Sequence, residues 1–95
     1  MLIKIDAAPT RSVAMLTPEQ LRAARALIDW SRDDLAKKSG VSANTVKGFE
    51  RGGSDPKLST LNKWRRALES AGVVFIEADD AAGAGLRLKA PRVRR

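Results

Sequence analysis

The feature that most restricts this chain is a pair of helix starts with a helix stop between them, all lying between Ser31 and Gly53. Ser31 caps a helix whose first turn holds Asp33 and Asp34 at the positive end of the helix dipole and whose last turn holds Lys37 and Lys38 at the negative end. Gly40 ends that helix, because glycine enters the left-handed conformation without steric cost. Ser42 then caps a second helix over Ala43 to Arg51, with Val46 and Phe49 facing inward, and Gly52-Gly53 stops it. The spacing predicts helices over Arg32 to Ser39 and Ala43 to Arg51, the first turning Leu35 and Ala36 inward, with only a short turn between them.

Two further helices flank this pair. Thr17 as N-cap, Pro18 at the first helical position and Gln20 as capping-box partner open a helix that runs to Trp30, with Leu21, Ala24, Leu27 and Ile28 on one stripe. After a loop with Gly52-Gly53 and Asp55-Pro56, Leu61, Trp64 and Leu68 mark a helix from near Ser59 to Gly72. Val73 to Ile76 then reads as a strand, and Leu86 to Lys89 alternates with period two, which predicts a β-hairpin with a loose turn. Leu2 to Ile5 is a candidate short N-terminal strand, and Ala7 to Met15 an arm. The expected organisation is a strand and arm over residues 1–16, a helical domain over 17–72, a hairpin over 73–89 and a basic tail over 90–95. A two-stranded hairpin is marginal alone, so it is expected to pair with the N-terminal strand or a second subunit, with loss of oligomerisation on deleting residues 73–95 as the test.

Composition narrows the chemistry. The 95 residues make one small domain, and 18 Lys+Arg against 11 Asp+Glu leave a net charge of +7 with no histidine to titrate. A polyanionic partner is the first inference. Absence of Cys and His removes thiolate nucleophiles, disulfides, histidine general bases and the usual zinc ligands, so neither a metal nor a cofactor is expected. Asp33 and Asp34 are accounted for as cap residues, and Asp79 and Asp80 as turn residues, leaving no acid/base pair for an enzyme. Residues 17–71 hold 11 basic and 7 acidic side chains, while 81–95 hold Arg87, Lys89, Arg92, Arg94 and Arg95 and no acid. No apolar run approaches the roughly 20 residues that span a bilayer and no signal peptide is visible, so the expected location is the cytoplasm.

Two short helices joined at Gly40, the second opening with small polar side chains, have the geometry of a helix-turn-helix. Residues 17 to 71 resemble the Cro/repressor-type (Xre) helix-turn-helix family. The resemblance rests on Trp30-Ser31-Arg32-Asp33-Asp34-Leu35-Ala36, the turn Ser39-Gly40-Val41-Ser42, the pair Thr45-Val46, and Phe49-Glu50-Arg51-Gly52. It implies a mainly α fold: a compact four-helix, lambda-repressor-like domain followed by the hairpin. It also implies duplex DNA binding with the third helix in the major groove.

On the positions that match the family pattern, the resemblance places Ala43, Asn44, Thr45, Lys47 and Gly48 toward the bases. Asn44 suits an adenine edge, Ala43 and the Thr45 methyl a thymine methyl, and Lys47 the acceptors of guanine. Arg32, Ser42, Arg51 and Lys57 match backbone-anchoring positions, and Arg25 with Glu50 an ion pair that fixes the third helix. Arg32 departs from the glutamine common there, and Gly48 from a base-reading side chain. Trp30 and Trp64 are expected in the core, not as stacking platforms for single strands. The implied function is a dimeric transcriptional regulator, most simply a repressor of its own or a neighbouring promoter acting at an inverted repeat. An antitoxin that autoregulates and binds a toxin, and a protein-binding antiactivator, are the alternatives.

Overall fold

The computed structural model describes residues 16–91. The candidate strand at Leu2 to Ile5, the arm to Met15 and the last four residues of the tail lie outside them. Among the described residues four helices come first, α1 (Pro18–Leu27), α2 (Arg32–Ser39), α3 (Ala43–Glu50) and α4 (Leu58–Ser70). Two antiparallel strands follow, β1 (Val73–Ile76) and β2 (Gly85–Leu88), paired Val73 with Leu88 through Ile76 with Gly85.

Each of the first two helix starts is made by its cap. Thr17 and Ser31 accept from the backbone N–H groups of Gln20 and Asp34, whose side chains in turn accept from the backbone N–H of Thr17 and Ser31. That geometry holds the Asp34 carboxyl below the usual aspartate range, the hydrogen bonds at Ser31 being the main cause and Lys37 and Lys38 adding to it. Gly40 closes α2 with φ +80°. Lys57 at the start of α4 makes no side-chain capping bond, so this helix relies on packing.

Four elements differ in their bounds from the sequence expectation, each for a local reason. Helix α1 stops at Leu27 instead of reaching Trp30, because Asp29 takes the left-handed conformation (φ 62°) and the Trp30 N–H turns back to the Arg25 carbonyl at 2.9 Å. Arg51 is the C-cap of α3 and not its last residue, with Gly52 at φ +77° turning the chain. Helix α4 starts at Leu58 and ends at Ser70, ahead of Gly72 at φ +105°. Strand β2 is displaced by one residue, since the Lys89 N–H donates to the Gly72 carbonyl at 2.7 Å and so ties the hairpin to the end of α4.

The core draws on every element except β2, which packs against it. Leu16, Leu21, Ala24, Leu35, Val46, Phe49, Trp64, Leu68 and Val73 are buried, with Ile28, Trp30, Val41, Leu61, Ala67, Phe75 and Leu86 against them. Fully burying each large side chain stabilises by roughly 1.5–3 kcal/mol. Phe49 of α3 meets Trp64 of α4 with ring centroids 5.3 Å apart, which sets the helix carrying the candidate site against the longest helix of the domain. The hairpin's inner face, with Val73, Phe75 and Leu86, rests on this core, and its strands contact α1 and α4. Its support is therefore the helical domain itself.

Candidate nucleic-acid interface

The candidate surface is the outer side of α3. Ser42 starts the helix, its Oγ accepting from the Thr45 N–H at 3.2 Å and lying 2.9 Å from Thr45 Oγ1. Val46, Phe49 and Glu50 are buried, which commits the opposite side to solvent. Asn44, Lys47, Gly48 and Arg51, spaced i, i+3, i+4 and i+7, line a shallow depression of about 570 Å³ together with Gly53. No carboxylate lines it. Asn44, Thr45, Lys47 and Arg51 are exposed, while Ala43 and Gly48 are half-buried.

Of the residues matched to base readout, Asn44, Lys47 and Gly48 share this depression; Ala43 and Thr45 are not among its lining residues. The Thr45 hydroxyl turns back to Ser42. Gly48 is approached by the following loop: its carbonyl accepts from the Gly53 N–H at 3.0 Å, and a β-carbon there would sit 3.5 Å from Ser54 Oγ. Among the residues matched to phosphate contact, Arg51 is on the same side of α3, and Ser42 and Lys57 are exposed.

Behind α3 lies a polar anchor. The Glu50 side chain is fully buried, yet Arg25 reaches it with two hydrogen bonds, Nε to Oε2 at 2.7 Å and Nη2 to Oε1 at 2.8 Å. A third Arg25 donor, Nη1, bonds the Trp30 carbonyl at 2.9 Å and so holds the corner between α1 and α2. Arg32 adds its Nε to Glu50 Oε1 at 3.0 Å, and Arg22 donates to the Glu50 main-chain carbonyl. Burial pushes the Glu50 carboxyl up, but the hydrogen bonds and charges of Arg25 and Arg32 outweigh it and hold the group below the usual glutamate range.

Two members of this cluster escape a reading of the sequence. Arg22 lies one turn before Arg25 on α1, a spacing that could have signalled its role. Arg32 matches only a phosphate-binding position in the sequence, whereas in the fold its Nε is bound to Glu50. Its side chain remains 39% exposed, and its terminal nitrogens make no hydrogen bond among the described residues. Glu50 thus orients a guanidinium whose outer edge still faces water.

Among the described residues no group of His, Cys, Asp and Glu is arranged to hold a metal ion, and no helix is long and apolar enough to cross a membrane. A family model described as helix-turn-helix matches residues 21–71, more than half of the chain. The chain is also similar to antitoxin HigA1 of Mycobacterium tuberculosis, in strains CDC 1551/Oshkosh and ATCC 25618/H37Rv. In both, 52% of 40 aligned residues are identical, a segment that covers 42% of this chain and 27% of the relative.

Proposed function

The chain belongs to the helix-turn-helix family of Cro/repressor type, a family of DNA-binding regulators, and on that premise we propose that it binds duplex DNA sequence-specifically to regulate transcription. The observation that carries this reading is the side of α3 bearing Asn44, Lys47, Gly48 and Arg51, which is open, free of carboxylates and backed by the buried Glu50 anchor. In the proposed complex α3 enters the major groove, with Asn44 and Lys47 reading base edges and Ala43 and Thr45 at the margin. Gly48 offers a base edge no side chain, so its part is close backbone approach. Arg32, Ser42, Arg51 and Lys57 anchor phosphates, which positions the helix without specifying sequence. The role is that of a binding protein and not of an enzyme, in the cytoplasm.

One recognition helix with so few reading side chains discriminates weakly, so the functional unit is a homodimer on an inverted repeat with half-sites about one helical turn apart. Repression by occluding a promoter is the simplest consequence. Binding of the whole protein to the DNA upstream of its own gene and to a scrambled duplex, followed as a function of salt, tests the reading. A large preference for the upstream fragment near physiological salt is expected. Equal and steeply salt-sensitive binding to both would reduce the finding to the attraction of a +7 chain for a polyanion.

A second reading, that the chain also neutralises a toxin, is favoured by its similarity to a protein named an antitoxin. Its expected signature is co-purification with the product of an adjacent gene whose expression alone halts growth. Growth unaffected by every neighbouring gene product would remove it.

A further inference from the structure

Away from the outer side of α3, the end of α2 and the face of α4 opposite it enclose an open groove of about 320 Å³ lined by Lys38, Ser39, Lys63, Arg66, Ala67 and Ser70. The α4 members fall at i, i+3, i+4 and i+7 and form one face of that helix. The three charged members are all cations, and among the described residues none of their side chains has a hydrogen bond or ion pair. Three other arginines have side-chain partners, whereas exposed Arg51 and Arg87 have none among the described residues. Arg25 and Arg32 are held by Glu50, and Arg65, next in sequence to Arg66, bonds Glu69 at 3.0 Å and lies 4.7 Å over the Phe75 ring.

A dipole-capping role accounts for Lys38, which lies in the last turn of α2, but not for Lys63 and Arg66 in the middle of α4. Lys38 is offset in part by Asp34 and by the C-terminal end of α2, so the uncompensated positive charge of the groove is carried by Lys63 and Arg66. We infer that this groove is a second ligand site, one that takes a dianionic phosphate group on Lys38, Lys63 and Arg66 with the Ser39 and Ser70 hydroxyls as further donors. Ser39 Oγ already accepts from the Val41 N–H at 3.2 Å, which leaves its proton to donate, the polarity that an anion requires. The planar Arg66 guanidinium can engage two phosphate oxygens at once. Leu35 of α2 and Trp64 and Leu68 of α4, fully buried in the common core, hold the two helices that form the groove walls.

The phosphate has two potential sources, a small free phosphate ligand or the backbone of a nucleic acid running past α4. The test uses the whole chain, with pyrophosphate as the probe and sodium chloride at equal ionic strength as the reference. Pyrophosphate raises the melting temperature above the chloride reference; K63Q/R66Q loses that rise, and K47Q on α3 keeps it. A rise that chloride reproduces, or one that K63Q/R66Q retains, overturns the site. Should K63Q/R66Q melt earlier, equilibrium dialysis of pyrophosphate at a temperature where all variants are folded separates the same outcomes. A fall of about tenfold in duplex affinity for K63Q/R66Q identifies a nucleic-acid backbone as the source, since two lost phosphate contacts are involved. Unchanged duplex affinity with lost pyrophosphate binding identifies a free ligand. The site is independent of the reading of α3, whose failure K47Q reports on duplex DNA alone.

Discussion

Glu50 carries two burdens at the scale of a single residue, because it closes α3 and holds arginines from α1 and α2 with one buried carboxylate. Glu50→Ala leaves those guanidiniums without their anion and is expected to cost about 3 kcal/mol, the low end for a broken buried pair because Arg32 keeps access to water. Urea denaturation measures it. The folded-state carboxyl lies below its ordinary value of 4.5, so its contribution is complete above that pH and is lost as pH falls toward the folded value. Between pH 6 and pH 3 the stability of Glu50→Gln is therefore expected to fall less steeply than that of the wild type. Equal slopes would mean that the carboxylate's charge adds nothing.

The exposed side chains of α3 belong to the same scale. Asn44→Ala and Lys47→Ala are expected to weaken binding to the specific site by about 1–3 kcal/mol while changing binding to random duplex much less. Arg32→Ala differs in kind. If its outer edge meets a phosphate, the magnitude of the salt slope of log K falls by about one on every sequence, whereas a residue serving Glu50 alone changes stability and leaves the slope intact.

At the scale of the element, α3 is a short helix that spends a residue on glycine. Glycine inside a helix costs roughly 1 kcal/mol against alanine. At Gly48 the added methyl meets Ser54 Oγ at 3.5 Å, an ordinary contact, and the backbone is helical. Gly48→Ala is therefore expected to raise stability by about 0.5–1 kcal/mol, read from thermal denaturation. A more stable variant that no longer binds DNA would show that the glycine serves close approach of the duplex. Destabilisation would show instead that the loop at Gly53 and Ser54 cannot yield.

At the scale of the whole molecule, the hairpin joins the questions of folding and assembly. Deleting residues 73–95 cannot decide whether it mediates dimerisation, because the deletion removes buried Val73 and the Phe75 and Leu86 that pack on the core. The alternation along β1 offers a cleaner probe. Val73 and Phe75 point inward, while Ile76 is 42% exposed opposite Gly85, which has no side chain to cover it. Ile76→Lys is expected to change the stability of the fold by no more than about 0.5 kcal/mol. If the outer face of the hairpin is the dimer interface, sedimentation of this variant shows monomer at concentrations where the wild type is dimeric. A persisting dimer places the interface elsewhere.

The division between sequence and tertiary structure follows from the range of the forces involved. The helix-turn-helix was legible because caps, a left-handed glycine and apolar spacing act within a few residues: Ser31, Gly40 and Ser42 set the limits of α2 and the start of α3 with no help from the rest of the chain. Leu21, Val46, Phe49, Trp64 and Leu68 entered the core because helical periodicity alone puts them on one stripe of each helix. The end of α1 was not legible, since Asp29 is neither glycine nor proline and turns only where Arg25 clasps the Trp30 carbonyl. Nor was the sharing of Glu50 among arginines, or the meeting of Lys38 with Lys63 and Arg66. Those groups are far apart in the chain, and only the packing of α2 against α4 and of Phe49 against Trp64 in the common core brings them together.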